Sequence, residues 1–300
     1  MAISRGQLVK ELEPGLNALF GLEYNNYANE HAEIFDTENS DRAFEEEVML
    51  SGFANAPIKA EGTSVSFDNA QETYTSRYTH ETLALAFAIT EEAIEDNLYD
   101  RLASRYTKAL ARSMANTKQV KAANVLNNAF GTANGGDGKA LCADDHPIVA
   151  GTEQNELSTS ADLNETSLEQ SLIDIAAMTD ERGLKIAAQG TKLIIPSALQ
   201  FTAERLMKSA GRTGTADNDI NAVVSKGMIP QGYTVNHYLT DTDAFFIKTD
   251  VPNGLKHFVR APMKTAMEGD FTTGNVRYKA RERYSFGFSD WRGIFGSPGA

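Results

Sequence analysis

The chain has 300 residues, 41% of them apolar, a formal net charge of −13 and a single cysteine, Cys142. That length makes one large or two ordinary domains with enough apolar material for a core. The lone cysteine excludes an internal disulfide framework and a four-cysteine zinc site, and the negative charge, with no run of five basic residues, argues against binding nucleic acid by phosphate neutralisation. The opening MAISRGQLVKELEPG lacks the apolar stretch of a secretory signal, and no run of about 18 apolar residues occurs. The sequence therefore predicts neither export by that route nor a membrane-spanning helix, and folding in a reducing cytoplasm.

Residues 1–43 carry a short helical segment at Leu8–Phe20, interrupted by Pro14-Gly15, followed by polar, acid-dotted sequence. This reads as an arm whose apolar residues, among them Leu16, Phe20, Ile34 and Phe35, need cover from the body of the subunit or from a neighbour. From Phe44 to Ile89 the signals are those of strands. Thr63, Val65 and Phe67 share one face of a first run; Leu83, Leu85, Phe87 and Ile89 oppose Thr82, Ala84, Ala86 and Ala88 in a second. Gly52, Pro57, Gly62 and Asp68-Asn69 mark turns, so the segment reads as a long two-stranded excursion that must lie on something.

Thr90, with Glu91 and Glu92, opens a long helix whose apolar residues Ile94, Leu98, Leu102, Tyr106, Leu110 and Met114 fall every fourth position and continue to Phe130. Some forty residues would span roughly 60 Å. The glycine-rich GTANGGDG ends it. Helices and strands then alternate: a helix at Leu168–Arg182 closed by Gly183, a buried strand at Lys192–Ile195, a helix from Pro196 to Lys208 and a short one at Asp219–Ser225. Strands follow at Tyr233–Tyr238 and Ala244–Thr249, joined by the turn Leu239–Asp243. Leu255–Phe295 is β-rich, with strands at Lys256–Arg260, Val276–Phe288 and Trp291–Phe295.

Catalytic spacings are missing. A phosphate-binding loop ending in Gly138-Lys139 would need glycine at 133 and Ser or Thr at 140, where Ala133 and Ala140 stand. Cys142, Asp144, Asp145 and His146 cluster, but no second cysteine or histidine lies nearby to complete a zinc site. Asp217-Asn218-Asp219 and Asp241-Thr242-Asp243 fail the glycine and glutamate positions of a calcium loop and fit turns and caps instead. The five histidines, His31, His80, His146, His237 and His257, accompany no HExxH or GxSxG. The reading is of a non-enzyme without cofactor or metal.

The order arm, strand excursion, long helix, α/β unit and returning strands resembles the major capsid proteins of tailed bacteriophages, of the Hong Kong ninety-seven fold, and in detail the Mu-like major head subunit group. Tyr238-Leu239-Thr240-Asp241-Thr242-Asp243-Ala244-Phe245-Phe246-Ile247 resembles the family's strand-turn-strand pattern, and Arg281-Glu282-Arg283-Tyr284-Ser285-Phe286-Gly287 its closing strand. The resemblance implies an α+β fold in which 1–43 is an N-terminal arm, 44–89 an extended loop, 90–131 with 255–300 a peripheral domain carrying the spine helix, and 132–254 an axial domain. It implies homo-oligomeric assembly, as pentamers and hexamers, of an icosahedral shell around double-stranded DNA in the virion, assembled in the host cytoplasm. It further implies a separate scaffold or processing not visible in this sequence, since the arm starts at once, together with a portal and decoration proteins. A nanocompartment shell of the same fold and an acidic cytosolic α/β enzyme are the alternatives.

Charge is polarised along the chain. Residues 1–100 hold five Lys or Arg against twenty Asp or Glu, leaving 23 against 21 for the remainder. A subunit tiling against copies of itself gains register from such asymmetry. Residues 251–300 hold eight Lys or Arg against four acids. The expected inter-subunit contacts are therefore Glu45, Glu46 and Glu47 docking on a basic sheet that includes Arg277, Arg281 and Arg283; Arg77 is counted among them, and the resemblance adds Lys59, since some members of the family cross-link through a lysine in the extended loop.

Overall fold

The computed structural model describes residues 5–90, 92–93, 99–132, 135–211, 219–270 and 272–300. In chain order the elements are α1 (Arg5–Asn26), a 3-10 turn (Glu30–Glu33), β1 (Asp36–Asn39), β2 (Phe44–Leu50), β3 (Glu72–Thr79), β4 (Glu81–Ile89) and α2 (Tyr99–Asn127). Then come β5 (His146–Ile148), β6 (Gly151–Glu153), α3 (Glu165–Ala177), β7 (Gly190–Ile195), α4 (Gln200–Lys208) and α5 (Ala222–Lys226). The chain finishes with β8 (Tyr233–Val235), β9 (Phe245–Thr249), β10 (Leu255–Gly269), β11 (Val276–Phe288) and β12 (Ile294–Ser297).

Two four-stranded sheets organise the molecule. The first has the order β1-β10-β11-β4, the second β12-β9-β7-β8, and β2-β3 and β5-β6 are separate hairpins. Expected strands at Tyr233–Tyr238 and Ala244–Thr249 form, but they do not pair with each other: β8 joins β7 in parallel and β9 joins its opposite edge antiparallel. The final strand pairs with β9, so the end of the chain leaves the first sheet and completes the second, where Phe295 is fully buried.

Several expectations are corrected. The first helix runs through Pro14 instead of breaking there. A proline inside a helix costs about 3 kcal/mol. Leu16 and Phe20 bury against Leu110, Met114 and Tyr278, and two large side chains at about 1.5–3 kcal/mol each offset that cost. The arm is thus covered by its own subunit. Thr63, Val65 and Phe67 lie in no strand, because nothing beside them supplies ladder partners; Val65 and Phe67 are exposed. The excursion is the β2–β3 hairpin, while Leu83–Ile89 belongs to β4 of the first sheet.

The spine helix follows the expectation in part. Thr90 Oγ1 accepts from the Ala93 amide at 3.4 Å, as a cap would. Glu91, Ile94 and Leu98 fall outside the described residues. The helix α2 ends at Asn127, before the expected Gly131, and its 29 residues span about 43 Å. Its buried face is largely alanine: Ala103, Ala111, Ala115, Ala122 and Ala123 are buried with Leu110, Met114 and Leu126, whereas Tyr106 is half exposed. Residues four apart advance about 40° beyond a full turn at each step, so a strict every-fourth stripe drifts off the core.

The helix expected at Leu168–Arg182 is displaced toward its N-terminus. It starts at Glu165 behind a reciprocal Asn164–Ser167 capping box and stops at Ala177. Gly183 instead closes a turn at φ +80°, in which Asp180 Oδ1 accepts from the amides of Arg182 and Leu184, each at 2.8 Å.

Candidate assembly surfaces

Strand β11 alternates from Val276 to Tyr284. Tyr278, Ala280, Glu282 and Tyr284 point inward and are buried beneath the arm and spine, while Arg277, Lys279 and Arg281 stand exposed on the other face with Arg283 half-buried beside them. Side chains two apart on a strand repeat at roughly 6.8 Å, so these cations form a straight row. Across the ladder to β4, the row faces Ala88, Ala86, Ala84 and Thr82 in register. On the β10 side Lys264 is directly opposite Arg281, a like-charge pair that weakens the sheet. Arg277 pairs with Asp270 and Arg283 donates to the Ala43 carbonyl at 3.5 Å. Among the described residues the side chains of Lys264, Lys279 and Arg281 have no ion pair or hydrogen bond.

The acidic strand is divided. Glu45 accepts from Ser40 Oγ at 2.6 Å and lies 4.0 Å from Arg42. Glu46 sits across the hairpin from Arg77 at 3.7 Å, and the Arg77 guanidinium lies 3.9 Å from the centre of the Phe44 ring. Glu47 instead turns into its own subunit, accepting from Lys256 Nζ at 2.6 Å and from Ser289 Oγ. Lys256, whose side chain is 5% exposed, also donates to Glu38 at 2.8 Å. Burial alone would lower the Lys256 pKa, but the bonds to Glu38 and Glu47 hold it above the usual lysine value. The structure therefore brings Glu46 to Arg77 and Glu47 to Lys256, and leaves Arg277, Arg281 and Arg283 apart from all three glutamates. Lys59 is exposed at the loop tip beside Ile58.

That tip is apolar and uncovered. Ile58 is 100% and Phe67 97% exposed, with Phe53 and Val65 also open to solvent. Asp68 closes the tip on itself by accepting from the Ala54 amide at 2.7 Å. These backbone bonds hold the Asp68 carboxyl below the usual range despite its exposure.

The loop base rests on a buried polar layer that sequence reasoning missed. Arg292, 3% exposed, donates to Glu181 at 2.9 Å, to Asp290 at 3.3 Å and to the Thr179 carbonyl at 2.8 Å, and lies 4.2 Å from the Trp291 ring. Burial raises the carboxyl pKa of both Glu181 and Asp290. His146 stacks on Trp291 at 4.1 Å and 4°, with Asp137 at 2.6 Å on one ring nitrogen and Asn155 Oδ1 at 3.1 Å on the other. The one available signal was Asp290-Trp291-Arg292, a charged pair flanking the only tryptophan. Cys142 is buried among apolar neighbours, and burial pushes its thiol pKa up. Asp241 accepts from the Asp243 and Ala244 amides, a turn role, while Asp217 and Asn218 fall outside the described residues. Among the described residues no group of three or more His, Cys, Asp or Glu could hold a metal, and no helix is long and apolar enough to cross a membrane.

Comparison with known proteins bears on these surfaces. A family model described as phage capsid protein matches residues 72–296. The curated proteins give no match. Among solved structures, the capsid of the cyanophage P-SCSP1u is similar at 11% identity with a TM-score of 0.58, over 89% of this chain and 86% of that one. The capsid of an empty GTA particle is similar at 13% identity and a TM-score of 0.57, over 90% of each chain. A virus-like particle from Pyrococcus furiosus is similar at 12% identity and a TM-score of 0.52, over 94% of this chain and 97% of that one. At such identities the likeness speaks to the fold, which is the Hong Kong ninety-seven type. The family match spans three quarters of the sequence, and the chain belongs to the phage capsid protein family as a shell-forming structural protein.

Proposed function

We propose that copies of this chain join as pentamers and hexamers into the icosahedral head of a tailed bacteriophage, enclosing double-stranded DNA without reading its sequence. The loop tip carries this reading: Ile58, Phe67, Phe53 and Val65 stay in water on a lone subunit and find cover against another molecule. Residues 1–43 act as the arm, 44–89 as the extended loop, 90–131 with 255–300 as the peripheral domain, and 132–254 as the axial domain. The protein catalyses no reaction and takes no cofactor. Its partners are a separate scaffold, a portal and decoration proteins, and it passes from the host cytoplasm into the virion.

Electrostatics set the register of the contacts. The Arg277–Arg283 row of one subunit receives acidic loop residues of the next, with Glu45 and Glu46 available, Arg77 across the hairpin from Glu46 and Lys59 out at the loop tip, while Glu47 remains within its own subunit. Exposed pairs of this kind are worth about 0–1 kcal/mol each and are screened by salt, so they direct register more than they hold the shell. The test is expression of the chain with its scaffold, followed by electron microscopy and nuclease digestion. Closed shells with protected DNA are expected. Discrete monomers or small oligomers at every concentration would overturn the capsid reading, and shells filled with protein would favour a nanocompartment.

A further inference from the structure

Arg182 occupies the second corner of the Asp180–Gly183 turn. Three fixtures hold that turn still: the Asp180 carboxylate accepting from two of its amides, the buried Glu181–Arg292 pair, and the bond from the Ala150 amide to the Glu181 carbonyl at 3.1 Å. From this anchored base the Arg182 guanidinium reaches the root of the long loop, a few residues ahead of β3. One nitrogen, Nη2, donates to the Asn69 carbonyl at 2.7 Å and lies 3.4 Å from Asp68 Oδ1. Asp68 in turn gathers the two sides of the tip through Ala54. Hydrogen bonds to a charged donor are among the stronger ones, and a guanidinium directs its donors in a fixed plane.

Little else steadies the loop along its length. Residues 51–71 form no strand, and most of their side chains are exposed. A two-stranded ribbon is marginal by itself, so its direction depends on contacts made beyond its base. We propose that Arg182 is the positioning residue of the loop, fixing the angle at which residues 51–71 leave the subunit and hence where the tip meets the next copy. The consequence for assembly rests on the capsid reading above; the positioning itself does not.

The test uses dispersed full-length subunits carrying two introduced cysteines, Glu61→Cys at the tip and Ala176→Cys on α3, both exposed positions, with native Cys142 buried and left unlabelled. Pulsed dipolar spectroscopy between spin labels then reads the loop angle directly. The parent should give one narrow distance distribution. Arg182→Ala and Asp68→Asn should broaden it, Arg182→Lys should fall between, and Arg205→Ala, a control on an exposed arginine of α4, should leave it narrow. Amide exchange at Ala54 should stay slow in Arg182→Ala, because Asp68 still holds it, and should rise roughly five- to tenfold in Asp68→Asn. A distribution in Arg182→Ala as narrow as the parent's, or a parent already broad, would overturn the positioning role. Uniform shells from a variant whose loop is demonstrably freed would overturn the consequence for assembly and leave the capsid reading untouched.

Discussion

His31, in the 3-10 turn of the arm, meets His257 of β10 edge to face at 5.2 Å, and both rings lie against Phe286. Gln119 on the spine helix fastens the same stretch, accepting from the His31 amide and donating to the Ala28 carbonyl, each at 3.1 Å. The charged neighbours are Lys118 and Glu282, 3.3 Å apart, with Tyr24 donating to the same carboxylate.

Burial, reinforced by Lys118, lowers His31 to a pKa of about 4 and His257 to about 3. Both are therefore neutral in the folded chain where an unfolded histidine, near 6.5, takes up a proton. The stability they contribute is fully present above pH 6.5 and declines as pH falls from there toward 3 to 4, by on the order of 5 kcal/mol for the coupled pair. Glu282, raised by burial, titrates with the opposite sign and offsets part of the loss. Urea unfolding from pH 7 to 4.5 should show this slope, and His31→Leu with His257→Leu should flatten it. A parent flat across that range would refute the assignment.

Lys256 ties β10 to Glu38 of the arm strand and Glu47 of the loop strand. Lys256→Ala leaves the part-buried Glu47 and the half-exposed Glu38 without their shared donor, and should cost roughly 1.5–3 kcal/mol. Glu47→Gln should cost clearly less, since Glu38 still pairs with the lysine. Chemical denaturation of the two variants decides the order.

Asn155 serves five groups through one amide. Its two N–H groups reach the carbonyls of Leu141, Trp291 and Ile294 at 2.7 to 3.0 Å, one hydrogen being shared between two of them, and its oxygen accepts from the Ala143 amide and faces His146 Nε2. Asn155→Ala should destabilise by about 3 kcal/mol, and Asn155→Asp by more, because a carboxylate would confront three carbonyl oxygens. A milder effect of aspartate would show the amide to be oriented the other way.

Gly136 lies against the loop base. A Cβ there would come within 2.7 Å of the Thr75 carbonyl and 2.8 Å of Ser76 Oγ and the Tyr74 ring, whereas one at Gly131 would meet nothing within 4 Å. Gly136→Ala should cost about 1–3 kcal/mol and Gly131→Ala close to none. Comparable melting temperatures for the two would contradict this packing.

Arg281→Glu with Arg283→Glu should block assembly while leaving the chain folded, because Arg281 stands exposed on the outer face of β11 and the half-buried Arg283 makes only a long bond to the Ala43 carbonyl. Sedimentation of folded but unassembled subunits is the expected result. Normal particles would remove the basic row from the set of contacts.

Alternation from Val276 to Tyr284 helped make β11 legible, Val276 to Phe288, because one face is buried there and a slip by one would reverse every side chain. The same pattern at Thr63–Phe67 misled, since alternation marks a strand only where a second strand stands beside it. Alanines of the spine helix were passed over in favour of larger residues, although Ala111, Ala122 and Ala123 are the ones wholly buried. Of the proposed contacts, the charge pattern found the basic row, but it could not reveal that Glu47 is taken by Lys256, 209 positions away in the chain. Arg182 gave no local signal, since its loop partners lie more than 100 residues away, and Asp290-Trp291-Arg292 marked Arg292 without revealing Glu181, 111 positions distant.

The return of the last strand to the second sheet bears on timing during synthesis. Until Ile294–Ser297 emerges, β9 lacks its outer neighbour, the site of Phe295 is vacant, and Asn155 has lost two of its carbonyl partners. The second sheet therefore closes only once this strand is in place, and loss of Ile294–Ser297 would open it at β9.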